Sequence, residues 1–335
     1  GLVPVAKPVC RTFPASSAPL LLAGDQIARF FDQATRDFPS LEDAGCSVRV
    51  GSATGRNSVF LGTDQQLLVE TDRLLPFVNA RSIRNARVHW SGTRIVNVFD
   101  RDGRPVDLEA FPLLSAYLSQ HEKALKSRAK AGRAACWWRS IDVLHTEWYA
   151  ASKLLIADIS SRPVIGLDDT GYCAGSGVYQ IKSSGWPLED LLVVLSAGIL
   201  GTFVGAMSQR SQNGFNRFQK QHISKIPLPR WDQIEPDWRR QFREAYLLRN
   251  ATSALELVAE LYRCDADILA ANTARDWPAF GGHDEGEATR VARKAMDGER
   301  ADGGESGGRK GRAYTRSADG PVKDRRGLSR DRAAA

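Results

Sequence analysis

One run of sequence limits the possible folds more than any other. Residues 191–207, LLVVLSAGILGTFVGAM, carry no charged side chain over seventeen positions. A helix through them is apolar on every side, so it must lie inside a core or cross a bilayer. Spanning takes about 20 residues, and the acids Glu189 and Asp190 stand directly before the run. The sequence therefore predicts a buried helix from Leu188 to about Ser208, with the chain packed around it and no membrane partner.

What packs on that helix is written in shorter periods. From Cys46 onward, CSVRVGS, SVFLGT, QLLVET and TRIVNVF form short alternating runs between Gly, Asn and Asp turns, which is strand patterning. KLLIADI, PVIGLDD and GVYQIKS read as further strands. Helical spacing marks DQIARFFDQATRDF, the stretch from Asp107 to about Lys130 with Pro112 near its first turn, and the stretches Pro236 to Tyr262 and Asp265 to Thr273. Beyond about Gly281 the chain is rich in Gly, Arg, Asp and Glu and poor in large apolar residues, the composition of a disordered tail. The predicted fold is α+β, a mixed or antiparallel sheet with packed helices and a C-terminal helical segment. Its expected divisions are a lead-in linker and helix (1–45), a central unit (46–235), C-terminal helices (236–280) and the tail (281–335).

Spacing argues against several chemistries. VGSATGRNSVFLGTD, residues 50–64, resembles a phosphate cradle, but Gly51 and Gly55 enclose three residues where a P-loop has four, and no Gly-Lys-Ser/Thr follows. A nucleotide-binding enzyme is thus the weakest reading of that loop. GYCAGSGVYQI, residues 171–181, mimics the S-adenosylmethionine loop of class I methyltransferases, yet Ala174 interrupts it and it runs toward a strand, so a hairpin strand is expected. No Pro-Pro pair exists to build an amino-methylating Asn-Pro-Pro-aromatic motif, no G-x-S-x-G nucleophile elbow is read between a strand and a helix, and H-E-x-x-H does not occur. Asp168-Asp169 beside Gly171 reads as a turn before it reads as a catalytic or metal-binding pair. Five scattered cysteines and five scattered histidines give no metal spacing. The thiols read as reduced and the location as cytoplasmic. The opening Gly-Leu-Val-Pro, with no methionine or signal pattern, reads as the interior of a longer product.

The positive signal is charge interleaved with aromatics. A net charge of +7 points to an anionic partner. Three predicted loops concentrate it: NARSIRNAR (79–87), CWWRSID (136–142) and MSQRSQNGFNRFQKQHISK (207–225). Arg and Lys neutralise phosphates, Asn and Gln read adenine edges, and aromatics stack on bases. A solvated basic surface is the alternative for any one such cluster.

Taken in order, these segments resemble the specificity region of adenine-specific DNA methyltransferases of the TaqI-like, restriction-modification class. VRVGSATGRNSVFLGT is similar to that family's Gly-x-x-Thr-Gly-x-x-x-Val-Phe opening. LLPFVNARSIR, WWRSIDVLH, KLLIADIS and GFNRFQKQHISKIPLPRW follow in the family's order, over about residues 40–270, although Trp138 and Arg139 stand where Tyr and Lys are commoner. The resemblance implies that 46–235 reads double-stranded DNA for a separate or upstream methyltransferase domain. That domain would hold S-adenosylmethionine, so this chain would hold no cofactor and no metal and be inactive alone.

Residues expected to meet DNA are Thr54, Arg56, Asn57, Arg81, Arg84, Arg87, Trp138, Arg139, Arg217 and Lys220. The rival reading is a protein-interaction module whose bases serve solubility. Thr54, Arg56 and Asn57 sit in what reads as the opening hairpin, whose glycines permit a tight turn.

Overall fold

The computed structural model describes residues 24–128, 136–208 and 215–276, all within the first of two contact units, Gly1–Ala288. The predicted tail and the linker before residue 24 lie outside the described residues. Among the described residues the main sheet has six strands. In spatial order they are β1 (Cys46–Val50), β11 (Val178–Ser183), β7 (Lys153–Ala157), β9 (Ile165–Asp168), β5 (Arg87–Val88) and β4 (Ile83–Arg84). Every pairing is antiparallel except β5 with β9. A second sheet orders β10 (Cys173–Ala174), β3 (Leu74–Val78), β6 (Arg94–Val96) and β2 (Leu61–Gly62), and β12 (Asn216–Arg217) pairs with β8 (Ile159–Ser160).

Side chains alternate across a strand, and both faces of the main sheet are covered. Leu154, Ile156, Ile165, Leu167 and Ile181 face one core, which contains the Leu188–Met207 helix. Leu155, Ala157 and Val178 face the other way, against Val78, Ile83 and Ala174. This double burial explains why KLLIA is apolar almost without interruption.

The uncharged run forms the predicted core helix, with 94% of its most apolar window buried. It bends at Ala197–Gly198, inside a π-turn over Leu195–Ile199. Gly198 has φ +108°, and a Cβ there would come within 2.4 Å of the Leu269 carbonyl oxygen. The glycine thus lets the segment after the helix Ala251–Leu261 lie directly against the core helix. The helices Pro236–Leu248 and Ala251–Leu261 join the same core through Phe242, Ala245, Ala254 and Val258.

Other local expectations change. The stretch Asp107 to Lys130 is not one helix: a short 3-10 turn, Leu108–Ala110, precedes Pro112–Gln120, and His121 separates that from Glu122–Lys126. Pro112 occupies the first turn, where its missing N–H costs nothing, and the Glu70 carboxylate accepts from Leu113 N and Leu114 N at 2.8 and 2.9 Å. SVFLGT starts as a helical turn, Asn57–Phe60, and QLLVET contains no strand. The opening hairpin is absent, because β1 pairs with β11 while β2 pairs with β6. GYCAGSGVYQI divides between two sheets, since β10 pairs in parallel with β3 and β11 joins the main sheet. Non-local pairing decides each of these cases, and local alternation does not specify a partner.

Candidate nucleic-acid interface

The edge of the main sheet carries the first basic group. Asn79 and Ser82 form a reciprocal cap, with Arg81 N donating to Asn79 Oδ1 at 2.9 Å, and this fixes the chain entering β4. Asn85 and Ala86 then take φ +52° and +59°. Two consecutive left-handed residues make a type I′ turn, the form that matches strand twist. Arg84 and Arg87 face one another across it. Arg87 reaches Asp169 Oδ2 at 3.4 Å and the Tyr246 hydroxyl at 3.4 Å, while Arg84 Nε donates to the Arg81 carbonyl at 3.0 Å. Among the described residues, Arg81 and Arg84 have no carboxylate partner.

The neighbouring strands β7 and β9 of the same sheet carry a wholly buried ion pair. Lys153 Nζ lies 2.7 Å from Asp168 Oδ2. Asp168 also accepts from the backbone N–H groups of Thr170, Gly171 and Tyr172 at 3.2, 2.9 and 2.9 Å. Lys153 adds bonds to the Tyr149 and Ala151 carbonyls. Burial lowers its pKa, and Asp168 opposes that shift. Asp168 is therefore a turn organiser, as the sequence suggested, and it holds Asp169 where Arg87 finds it.

The second group is built from two loops. Ala53 N donates to Asp142 Oδ2 at 2.8 Å, and Asp142 N and Ile141 N donate to the Ala53 and Thr54 carbonyls. Arg128 bridges the same loops, donating to the carbonyls of Thr54, Trp137 and Arg139 at 3.2, 2.6 and 2.8 Å. Thr54 is buried; its hydroxyl bonds Asn57 Oδ1 at 2.6 Å and accepts from Arg56 N. Trp138 is buried too, in the core around Leu114 and Leu118. Both side chains shape the loops from inside, while Arg56 and Arg139 are half-buried and Asn57 is exposed.

The glycines of VGSATG are explained by close approach. A Cβ at Gly51 would lie 2.2 Å from the Gly175 carbonyl oxygen, and Gly55, at φ +75°, packs against Ile141. Gly175 is itself pressed on the Phe77 ring, where a Cβ would lie 2.7 Å away. Backbone and Phe77 occupy the space that a cofactor would need, so this glycine cluster does not fit S-adenosylmethionine. Among the described residues no His, Cys, Asp or Glu group has metal-site geometry.

The third group is less available. Arg217 is committed to Asp158 through two bonds of 3.0 and 2.6 Å, which raise its pKa. Lys220 pairs loosely with Glu42 at 3.5 Å on the surface. Sequence reasoning missed Arg128 and Lys153. Nothing sets Arg128 apart from its basic neighbours in the sequence, whereas Lys153 and Asp168 each end an apolar strand, a signal for a buried pair.

Fold and site together define an α+β domain whose loops carry several arginines without a carboxylate partner among the described residues. Residues 82–228 match the TaqI-like C-terminal specificity domain. The chain is similar to the Type II methyltransferase M.XhoI of Xanthomonas vasicola, 33% identical over 236 residues, 69% of this chain and 43% of that protein. It is also similar to M.PaeR7I of Pseudomonas aeruginosa, 35% identical over 244 residues, 72% of this chain and 42% of that one. The chain spans less than half the length of these relatives. Among solved structures, the Type IIL restriction-modification enzyme MmeI in complex with DNA aligns with a TM-score of 0.45 and 19% identity, over 76% of this chain and 35% of that one.

Proposed function

We propose that this chain is the DNA target-recognition part of an adenine-specific, S-adenosylmethionine-dependent DNA methyltransferase of a restriction-modification system. It acts in the cytoplasm on double-stranded DNA, beside a methyltransferase domain that holds the cofactor and performs the transfer. The observation that carries this reading is the β4–β5 hairpin at the start of the matched specificity domain, where Arg84, and Arg81 just before the domain, have no carboxylate partner among the described residues. Like charges facing across a strand pair repel, and a phosphate backbone removes that repulsion. The residues assigned to contact are Arg56, Asn57, Arg81, Arg84, Arg87, Arg139 and Lys220; Thr54 and Trp138 position loops, and Arg217 braces β12 against Asp158.

Anisotropy of a labelled duplex across a salt series tests the reading. Neutralising 6–10 phosphates makes affinity fall by about 10³–10⁵ between 50 and 200 mM salt. Absence of binding at low salt sinks the proposal. Methyl transfer by this chain alone would show that catalysis had been placed in the wrong domain.

A further inference from the structure

Arg56, Arg128 and Arg139 stand where two loops meet, bridged by the Arg128 bonds to the Thr54, Trp137 and Arg139 carbonyls. Arg128 spends its donors on carbonyls: Leu125 at 3.0 Å, and Thr54, Trp137 and Arg139 of the two loops. No carboxylate is among these partners. Arg56 and Arg139, both half-buried, form no ion pair with another described residue, and Arg56 Nε is enclosed without a hydrogen-bond partner. Asp142 is the single acid in residues 51–57 and 136–142, and its Oδ2 already accepts from Ala53 N. Burial lowers the Arg128 pKa first, and the charges of Arg139 and Arg56 lower it further, as mutual repulsion requires.

This repulsion exists before any ligand arrives, and the loops cannot relax away from it. Gly55 is locked against Ile141, Arg56 N is tied to Thr54 Oγ1 at 3.1 Å, and Arg128 fastens both backbones. Forked guanidinium donors match carboxylates and phosphates, and the phosphate is the one a DNA duplex offers. Resting on the DNA-reading role above, we propose that Arg56 and Arg139 together seat a single backbone phosphate of the duplex, with Arg128 as the positioning residue that joins their loops. This seat lies on different elements from the β4–β5 hairpin.

The test is the salt slope of duplex binding by the whole chain, for the wild type, Arg56→Gln, Arg139→Gln and the double variant. Circular dichroism at the assay temperature shows that each is folded. One shared phosphate predicts that the double variant's slope is shallower by about 0.9; two separate phosphates predict about 1.8. A change near 1.8, or none while the wild type binds normally, overturns the shared seat and leaves the DNA-reading role standing. A wild type that fails to bind overturns both. Arg128→Lys keeps the charge but cannot reach carbonyls of both loops, so its folded form also has a slope shallower by about 0.9. An unchanged slope there overturns the positioning role.

Discussion

Lys153 Nζ and Asp168 Oδ2 lie 2.7 Å apart with both side chains sealed from solvent, at the join between the main sheet and the loop that meets the arginine hairpin. Removing one partner of such a pair leaves an uncompensated buried charge. Asp168→Ala also frees three backbone N–H groups. The expected loss is about 3–5 kcal/mol in chemical denaturation. A loss under about 1 kcal/mol would mean that the pair is not closed in solution.

Arg84 and Arg87 oppose one another at the hairpin tip, so Arg84→Gln separates stability from binding. Thermal denaturation should show no loss, or a gain of about 0.2–1 kcal/mol from relieved repulsion. Duplex binding should weaken and its salt slope fall by about 1. Equal binding by the variant and the wild type would remove Arg84 from the interface.

Ala86 sits at φ +59°, where its Cβ crowds the backbone. Asn-Gly is the preferred pair for this turn. Ala86→Gly should stabilise the protein by about 1 kcal/mol, read from the urea midpoint at unchanged m-value. A destabilised variant would show that the turn is not type I′ in solution.

Arg217 carries the opposite expectation from Arg84, because Asp158 already holds it by two bonds. Arg217→Ala should cost up to about 1 kcal/mol of stability, as a partly exposed pair does. The salt slope of DNA binding should not move. A slope lowered by about 1 would place Arg217 on a phosphate after all.

Burial pushes the Cys46 thiol up to about 11 and the Cys173 thiol up to about 12. Unfolded cysteine ionises near 9, so above that pH the unfolded state sheds protons that the folded state retains. The contribution to stability is complete below pH 9. It falls by about 1.4 kcal/mol per pH unit for each thiol, and levels off above the folded values. Urea titrations at pH 8 and pH 10.5 should show this loss, and Cys46→Ala should shrink it. At pH 8, peptide mapping after thiol labelling should find the half-buried Cys136 modified well before Cys46 or Cys173.

Much of the frame was legible in the residues. The uncharged run was read as a core helix, and Leu188–Met207 is buried as one although its length and composition would also suit a membrane span; alternating or continuous apolar stretches marked β1, β6, β7, β9 and β11. Basic loops in a family-like order singled out Arg81, Arg84, Arg87 and Arg139 as candidate contacts. Short segments were harder. SVFLGT and QLLVET alternate like strands, yet the first opens as a helical turn and keeps only the two residues of β2, and the second forms no strand. Thr54 and Trp138 looked like ligand contacts because residue type does not reveal which way a loop turns its side chains.

By itself the sequence determined the elements that depend on local period and on solvent: which segments are apolar, where Pro and Gly interrupt them, and which loops are basic. Tertiary structure alone decided which arginines remain free. Asp158 neutralises Arg217 from 59 residues away, while Arg128 ties Thr54 to Trp137 and Arg139 and leaves Arg56 and Arg139 without a counter-ion among the described residues. Charge belongs to a residue, but its compensation depends on distance in space, and that distance is set only when the strands pair.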